Sequence, residues 1–167
     1  DEAITSSQLE GAVTTRAVAK EMLRSGRKPR DHAEKMIFNN YNTIREIKEH
    51  LDEELSPSLI KTLHGLMTQE TLEARDEEGR FRKAEDGPIN VFDVNVNILH
   101  TPPPPEEIEK SIKLLCDFAN EKDKKTFVHP VIRGILIHFW LAYLHPFIDG
   151  NGRTARALFY WYMLIFY

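Results

Sequence analysis

The feature of this sequence that most constrains its fold is a polar loop between two apolar stretches. The loop reads HPFIDGNGRTAR and runs from His145 to Arg156. GILIHFWLAYL precedes it, and ALFYWYMLIFY follows it. Aspartate and arginine are residue types that packed cores mostly exclude, and Gly-Asn-Gly is typical of a turn. Such a loop between two apolar helices indicates a function at this point of the chain.

Apolar residues at intervals of three and four predict that most of the chain is helical. The predicted helices cover, in order, 1–26, 31–51, 56–74, 106–120, 129–144 and 153–167. Within the first of them, the residues from Thr5 to Gln8 resemble a capping box. Ser56-Pro57 and His129-Pro130 are typical of helix starts, where proline loses no hydrogen bond. The expected fold class is therefore all-α.

One stretch departs from the helical pattern. Phe92, Val94, Val96 and Ile98 alternate with polar residues, which is the two-residue period of a half-exposed strand. Gly79 and the turn Asp86-Gly87-Pro88 suggest that this strand belongs to a hairpin. Few side chains in the segment could anchor it in a core, so we expect a flap that covers something.

The overall composition excludes several classes of protein. The 167 residues fit one domain, and a net charge of −4 gives no support to nucleic-acid binding. No signal peptide is visible, and the apolar run from Ala157 to Tyr167 is about half of a membrane span. With Cys116 as the only cysteine, a cytoplasmic location is expected. The absent start methionine and the uncapped end suggest that native sequence is missing at both ends.

The residue types in the loop suit a polyphosphate. Gly150-Asn151-Gly152 can adopt positive φ angles that turn successive N–H groups towards an anion. The next helix begins at about Arg153, so its N-terminal N–H groups point at the same place. Arg153 and Arg156 are three residues apart, and both could reach an anion held there.

Two further loop residues could supply chemistry. Asp149 offers a hard oxygen ligand, and a magnesium ion bound to phosphates needs only one or two protein carboxylates. His145 ends the preceding helix and could act as a general base near neutral pH. Each feature alone has an ordinary explanation, such as a helix cap, a turn or a surface charge. Their joint occurrence favours a nucleotide site with Mg²⁺ and a base.

At these residues the chain resembles the Fic family, whose signature is HxFx[D/E]GNGRxxR. All eight defined positions of the signature are matched, by His145, Phe147, Asp149, Gly150, Asn151, Gly152, Arg153 and Arg156. Gly79-Arg80-Phe81-Arg82, the proline-rich segment 102–105 and the apolar helix from His129 are also Fic-like. The resemblance covers most of the chain from about Asp31 onward.

This resemblance implies a helical core with a small β-hairpin flap, and it implies an activity. The usual Fic reaction is AMPylation, in which AMP is transferred from ATP to a Ser, Thr or Tyr hydroxyl of a target protein. By resemblance, His145 is the catalytic base and Asp149 holds Mg²⁺. The phosphates are bound at Gly150, Asn151, Gly152, Arg153 and Arg156. The flap that binds a target segment by strand addition consists of Val91, Phe92, Asp93, Val94, Asn95, Val96, Asn97 and Ile98.

A second match lies near the N-terminus. Ser6, Glu10 and Gly11 resemble the inhibitory motif of the family, [S/T]xxxE[G/N]. By resemblance, Glu10 pairs with Arg156 and obstructs the seat of the γ-phosphate of ATP. An ordinary exposed glutamate near a helix end is the alternative explanation. The expected division is an inhibitory helix over 1–26 and a Fic domain over 27–167 that lacks native C-terminal sequence.

Three functions stay open at this stage. The first is AMP transfer restrained by Glu10. The second is the reverse reaction, in which Glu10 positions water to remove AMP from a modified target. The third is a nucleotide-binding or interaction module without catalysis. The target, the preference for a nucleotide base and assembly into homo-oligomers are not fixed by the sequence.

Overall fold

The computed structural model describes residues 1–121 and 127–167. These residues form seven α-helices and one two-stranded sheet. The helices are α1 Glu2–Leu9, α2 Arg16–Ser25, α3 His32–Ile47, α4 Pro57–Thr68, α5 Ile108–Ala119, α6 Pro130–Leu144 and α7 Asn151–Phe166. The strands are β1 Val91–Phe92 and β2 Ile98–His100, and they pair antiparallel. The predicted class, all-α with a small hairpin, is confirmed.

The side chains that begin the helices explain why several starts were predictable. Asp31 accepts a hydrogen bond from the N–H of Glu34 and caps α3. Ser56 accepts one from the N–H of Leu59 and caps α4, with proline at the first helical position. Each cap satisfies a backbone N–H that has no partner inside the helix. Helix α6 begins and ends as the sequence predicted.

The prediction of one continuous helix over 1–26 is wrong. Helix α1 ends at Leu9, and Gly11 turns the chain with a φ of 93° that favours glycine. Thr15 then caps α2 through a hydrogen bond from the N–H of Val18 at 3.4 Å. The predicted capping box from Thr5 to Gln8 lies inside α1, whose N-cap is Asp1.

The prediction of one strand across 92–98 is also wrong. The chain reverses inside that stretch, because the Asp93 carboxylate accepts hydrogen bonds from the N–H groups of Asn95 and Asn97 at 2.8 Å each. The predicted turn at Asp86-Gly87-Pro88 instead contains the end of a short 3₁₀ turn, Ala84–Asp86, ahead of β1. The hairpin is therefore shorter than the alternating pattern suggested. Its side chains are largely exposed, as in Val94 at 98%.

The buried apolar side chains form two separate clusters. The larger cluster joins α4, α5, α6 and α7, and it contains Leu63, Ile137, Leu158 and Trp161. The smaller cluster joins α1, α2 and α3, and it consists of Ile4, Ala12, Ala19, Met22, Met36 and Ile37. The polar loop therefore lies over the larger cluster, while the N-terminal helix α1 rests on the smaller one.

Helix α6 is not enclosed on all sides, although its sequence is apolar throughout. Large apolar side chains on one face are 40–63% exposed, namely Ile132, Ile135, Leu136, Phe139 and Tyr143. Its other face is buried against α5 and α7. In the part of the chain that the structure describes, no helix has the length and apolar character of a membrane span. The cytoplasmic location stays a prediction.

Candidate active site

His145 ends α6 in an unusual backbone conformation. Its φ is 48° and its ψ is 57°, the left-handed region in which residues other than glycine are uncommon. The buried side chain of Arg82 stabilises this turn, because its guanidinium donates to the carbonyl of His145 at 2.7 Å and to that of Pro103 at 2.5 Å. Arg82 therefore ties the end of α6 to the connector that leaves the hairpin.

The His145 ring is in the neutral state that a general base requires. Burial lowers the pKa of His145 below its usual 6.5, and the nearby Arg82 cation acts in the same direction. The ring Nδ1 lies 3.4 Å from the carbonyl of Ala142. A proton on Nδ1 can meet that carbonyl, which leaves the lone pair of Nε2 free to accept a proton. The ring is thus neutral near pH 7 and has an available acceptor.

Phe147 fixes the middle of the loop in the core. Its side chain is fully buried and stacks on the ring of His64, with centroids 3.6 Å apart and planes 4° apart. Asn151 closes the turn, since its side chain accepts from the N–H of Phe147 and donates to the carbonyl of Phe147, each at 2.9 Å. The amide of Asn151 therefore shapes the loop. A contact of Asn151 with phosphate stays a prediction.

Only one residue of the Gly-Asn-Gly turn has the positive φ from which the sequence predicted an anion nest. Of the Gly-Asn-Gly residues, Gly150 alone has a positive φ, of 77°, and it is the N-cap of α7. A side chain at Gly150 would overlap the methyl group of Thr68, so the loop lies directly on α4. The first N–H groups of α7 have no acceptor within the helix. They provide the partial positive charge that binds anions.

The two arginines of the signature lie in different surroundings. The side chain of Arg153 is 1% exposed and donates to the carbonyl of Met67 at 3.3 Å. Burial lowers its pKa, and its Nε has no hydrogen-bond partner within the described residues. Arg156 lies nearer the surface, with a side chain that is 23% exposed. The prediction that both arginines reach one anion stays a prediction.

Arg156 is bound by the N-terminal helix. Its guanidinium donates to the Ser6 hydroxyl at 2.7 Å, to the Ser6 carbonyl at 3.0 Å and to the Glu10 carboxylate at 2.6 Å. These residues are 146 to 150 positions apart in sequence. The pairing of Glu10 with Arg156 that the resemblance implied is thus present. Gly11, the third residue of the motif, lies in the chain turn that follows α1.

Glu10 also lies against the start of α7. A Cβ added at Gly152 would overlap Oε1 of Glu10 and would lie 3.2 Å from the guanidinium of Arg156. The carboxylate therefore occupies the space that glycine leaves open at the helix N-terminus. A phosphate attracted by the same N–H groups and the same arginine would meet this carboxylate.

Asp149 has the chemistry of a magnesium ligand at a phosphate site. Its side chain is 64% exposed, and one carboxylate oxygen accepts from the N–H of Gly150 at 2.6 Å. Across residues 1–121 and 127–167, no group of three or more His, Cys, Asp or Glu is placed to hold a metal by itself. One carboxylate beside an anion site fits Mg²⁺ that is held mainly by phosphate oxygens.

The hairpin is attached beside this site. The ring of His100, at the end of β2, lies 2.6 Å from the carbonyl of Tyr143 in the last turn of α6. The two rings are also in contact, with centroids 4.6 Å apart. The flap residues from Val91 to Ile98 are thus attached to α6 at Tyr143, two residues before His145. Their binding of a target stays a prediction.

Sequence reasoning missed two residues that shape the loop. His64 is buried in α4 and contacts both Phe147 and Asp149, and burial lowers its pKa to about 4. Arg82 was noted only as part of a Fic-like segment. The signal that could have found them is their type, since a buried cation or imidazole needs partners. The partners themselves lie 63 and 85 positions away.

Comparison with known proteins connects this site to a family. A family model described as the Fic/DOC family matches residues 54–163. The chain is 42% identical over 82 residues to "Protein adenylyltransferase Fic" of Nematostella vectensis. The aligned segment covers 49% of this chain and 17% of the relative. The chain is 41% identical over 58 residues to "Protein adenylyltransferase fic-1" of Caenorhabditis elegans. This second aligned segment covers 35% of this chain and 11% of the relative.

Solved structures share the fold. A Fic domain containing signaling protein from Bacteroides thetaiotaomicron has a TM-score of 0.83 at 23% identity, over 96% of this chain and 60% of that one. Fic-1 from C. elegans has a TM-score of 0.75 at 24% identity, over 96% of this chain and 46% of that one. At such identities the likeness concerns the fold. The match spans less than a fifth of the length of these two curated relatives.

Proposed function

The chain belongs to the Fic/DOC family, and from this membership we propose that it transfers AMP from ATP to a hydroxyl side chain of a target protein. The observation that carries the proposal is that one short loop, fixed in the core by Phe147, joins His145 at the end of α6 to the N-terminus of α7. A candidate base and a candidate anion site thus lie on the same loop. Relatives named protein adenylyltransferase support the same reaction.

In the proposed reaction, the hydroxyl oxygen of the target attacks the α-phosphorus of ATP. The bond from that phosphorus to the bridging oxygen of the β-phosphate breaks, and pyrophosphate leaves with the electron pair. The hydroxyl proton goes to Nε2 of His145, whose ring is neutral because burial lowers its pKa. Serine, threonine and tyrosine are the side chains that offer such a hydroxyl.

The phosphates would lie across the start of α7. The first N–H groups of α7, from Asn151 onward, would donate to them, and the guanidinium of Arg156 would meet the outer phosphate. The unpartnered Nε of the buried Arg153 adds positive charge below them. Asp149 would hold Mg²⁺, which neutralises phosphate charge when it is bound.

We propose that Glu10 restrains the reaction. Its carboxylate pairs with Arg156 at 2.6 Å and fills the space beside Gly152, so it competes with phosphate for the same cation. Release of α1 would free Arg156, and loss of the carboxylate alone would leave it bonded only to Ser6. The proposal assigns 1–26 to an inhibitory segment built from α1 and α2, and 27–167 to the catalytic domain.

We propose that the flap binds a segment of the target. Its paired strands are short, and exposed apolar side chains such as those of Phe92 and Ile98 lie along it. A target strand added to its edge would gain backbone hydrogen bonds whatever its sequence. The hydroxyl would then be presented near His145. Self-association of the chain stays a prediction.

Labelled ATP tests the reaction type. The Glu10→Gly variant is incubated with ATP that carries label on the α-phosphate or on the γ-phosphate. We expect the α-label to remain on protein and the γ-label to leave with pyrophosphate. Retention of the γ-label would mean phosphoryl transfer instead. Nucleotide binding without any transfer would favour a non-catalytic module.

The reverse reaction is the second candidate, and the position of Glu10 favours it. A carboxylate held at the start of α7 could orient a water molecule towards the phosphorus of a modified hydroxyl. Incubation of the intact chain with an AMPylated protein separates the two directions. Release of AMP that depends on Glu10 would support removal, while release by the Glu10→Gly variant would exclude this role.

A further inference from the structure

His64 lies on the inner face of α4 and uses both ring nitrogens. Its Nδ1 accepts a hydrogen bond from the backbone N–H of Gly79 at 3.0 Å. Its Nε2 lies 2.9 Å from the backbone carbonyl of Asp149. Because a backbone N–H can only donate, Nδ1 carries no proton. Nε2 is therefore protonated and donates a hydrogen bond to the carbonyl oxygen of Asp149. One neutral tautomer thus satisfies both bonds.

The ring is also the surface on which the loop packs. Phe147 stacks on it with nearly parallel planes. A Cβ at Gly150 would lie 3.3 Å from Nε2, so the backbone of Gly150 passes close to the ring. His64 therefore contacts the loop before and after Asp149, and it also bonds to the carbonyl of Asp149 itself.

The direction of that carbonyl determines the direction of the next N–H group. A trans peptide is planar, so its C=O and N–H point opposite ways. With the Asp149 carbonyl directed at His64, the N–H of Gly150 points away from the core, where it meets the exposed carboxylate of Asp149. Rotation of this peptide would instead turn a carbonyl oxygen towards the place of the phosphates. Glycine at 150 makes such a rotation sterically easy.

We propose that His64 is a positioning residue that holds the Asp149–Gly150 peptide with its carbonyl oxygen turned into the core, away from the place of an anion, and with its N–H group on the outer side, where the Asp149 carboxylate accepts it. The inference deepens the proposed function, because the anion is taken to be the phosphate of a nucleotide. The hydrogen bond from Nε2 to the Asp149 carbonyl oxygen holds the peptide in this orientation. The bond to Gly79 orients the ring and fixes its tautomer.

Two substitutions separate this role from a merely structural one. In Gln, the amide nitrogen can take the position of Nε2, so His64→Gln keeps a donor for Asp149. In Asn, the amide oxygen can take the position of Nδ1, so His64→Asn keeps an acceptor for Gly79 and loses the donor. Both variants lose the ring that stacks on Phe147. Their melting temperatures should therefore fall together.

The test compares the two variants in a chain that carries Glu10→Gly. Amide hydrogen exchange is measured for 147–152, and Mg-ATP affinity is measured by calorimetry. We expect exchange about tenfold faster, and affinity about tenfold weaker, in His64→Asn than in His64→Gln, the factor of one lost hydrogen bond. Equal exchange in both variants would overturn the inference. Divergent exchange with no nucleotide binding in the Glu10→Gly parent would support the inference and reject the proposed function.

A spectroscopic measurement tests the hydrogen bond from His64 to Asp149 without any substitution. Imidazole nitrogen resonances of the intact chain report which ring nitrogen of His64 carries the proton. We expect the proton on Nε2. A proton on Nδ1 would overturn the inference even if neither variant folds, because Nε2 could then donate nothing to Asp149.

Discussion

The loop from His145 to Arg156 and the helix that carries Glu10 are held to the molecule in different ways. The loop is fixed by the larger cluster, into which Phe147 inserts its side chain, and by buried polar contacts from His64 and Arg82. Helix α1 contributes Ile4 to the smaller cluster and buries the small side chain of Ala3, and polar contacts hold the rest of it. Examples are the bonds from Asn40 to the carbonyl of Ala3 and from Arg156 to Ser6.

This difference suggests how one chain can contain both a site and its restraint. Burial of a large apolar side chain stabilises a fold by about 1.5–3 kcal/mol, so the loop rests on many such contributions and α1 on few. Detachment of α1 would therefore cost much less than disruption of the loop. The proposed restraint could therefore leave while the loop keeps its shape.

The largest expected effect tests the loop side of this comparison. His145→Ala, in a chain that also carries Glu10→Gly, should lower the rate of AMP transfer by about 10²- to 10⁴-fold, the usual contribution of a general base. Mg-ATP affinity should stay nearly unchanged. His32→Ala is the matched control, because that exposed histidine bonds only to the carbonyl of Thr71 among the described contacts. Undiminished labelling would remove His145 from the reaction.

The second effect tests the restraint. Glu10→Gly should strengthen productive Mg-ATP binding by about tenfold, since a charged hydrogen bond to Arg156 is lost. Glu10→Gln keeps an acceptor for Arg156 without the charge, so its gain should be smaller. Calorimetry at fixed magnesium concentration measures both. Equal affinities in all three chains would show that Glu10 does not compete with phosphate.

The third effect tests the comparison directly. Backbone amides of α1 should exchange with solvent at least about tenfold faster than those of α6 and α7, because few buried apolar contacts hold α1. Hydrogen exchange resolved by residue measures this in the intact chain. Protection of α1 as high as that of α7 would mean that the two regions open together, and the restraint could not leave alone.

The smallest effect concerns pH. Burial holds the pKa of His145 below 6.5, so its ring stays neutral and able to accept a proton between pH 7 and 8. The transfer rate of the Glu10→Gly variant should change little over that range. It should fall as the pH drops through the lowered pKa, because a protonated ring cannot act as a base. A rate that rises about tenfold from pH 7 to 8 would indicate another group.

The sequence predicted the parts of the fold that depend on local signals. Helix α6, from the cap at His129 to Leu144, follows from one apolar run and one proline. The start of α4 follows from Ser56-Pro57 in the same way. The loop composition and its family resemblance together predicted the site, since the chemistry lies in twelve consecutive residues.

The parts that the sequence did not predict depend on contacts between distant residues or on turns that interrupt a regular pattern. The break after Leu9 interrupts a pattern that otherwise continues, and the turn at Asp93 lies inside an alternating run. The left-handed backbone of His145 depends on Arg82, which is 63 positions away. The tautomer of His64 depends on Gly79 and Asp149 together. Periodicity carries no information about such partners.

The central claim is that the chain transfers AMP and that Glu10 restrains the transfer. Mass spectrometry of a cell lysate treated with Mg-ATP and either the intact chain or Glu10→Gly tests it most directly. We expect AMP on Ser, Thr or Tyr side chains in the Glu10→Gly sample, with much less in the intact sample and none when His145→Ala is added. Equal modification by the intact chain and the Glu10→Gly variant, or none by the variant, would contradict the account.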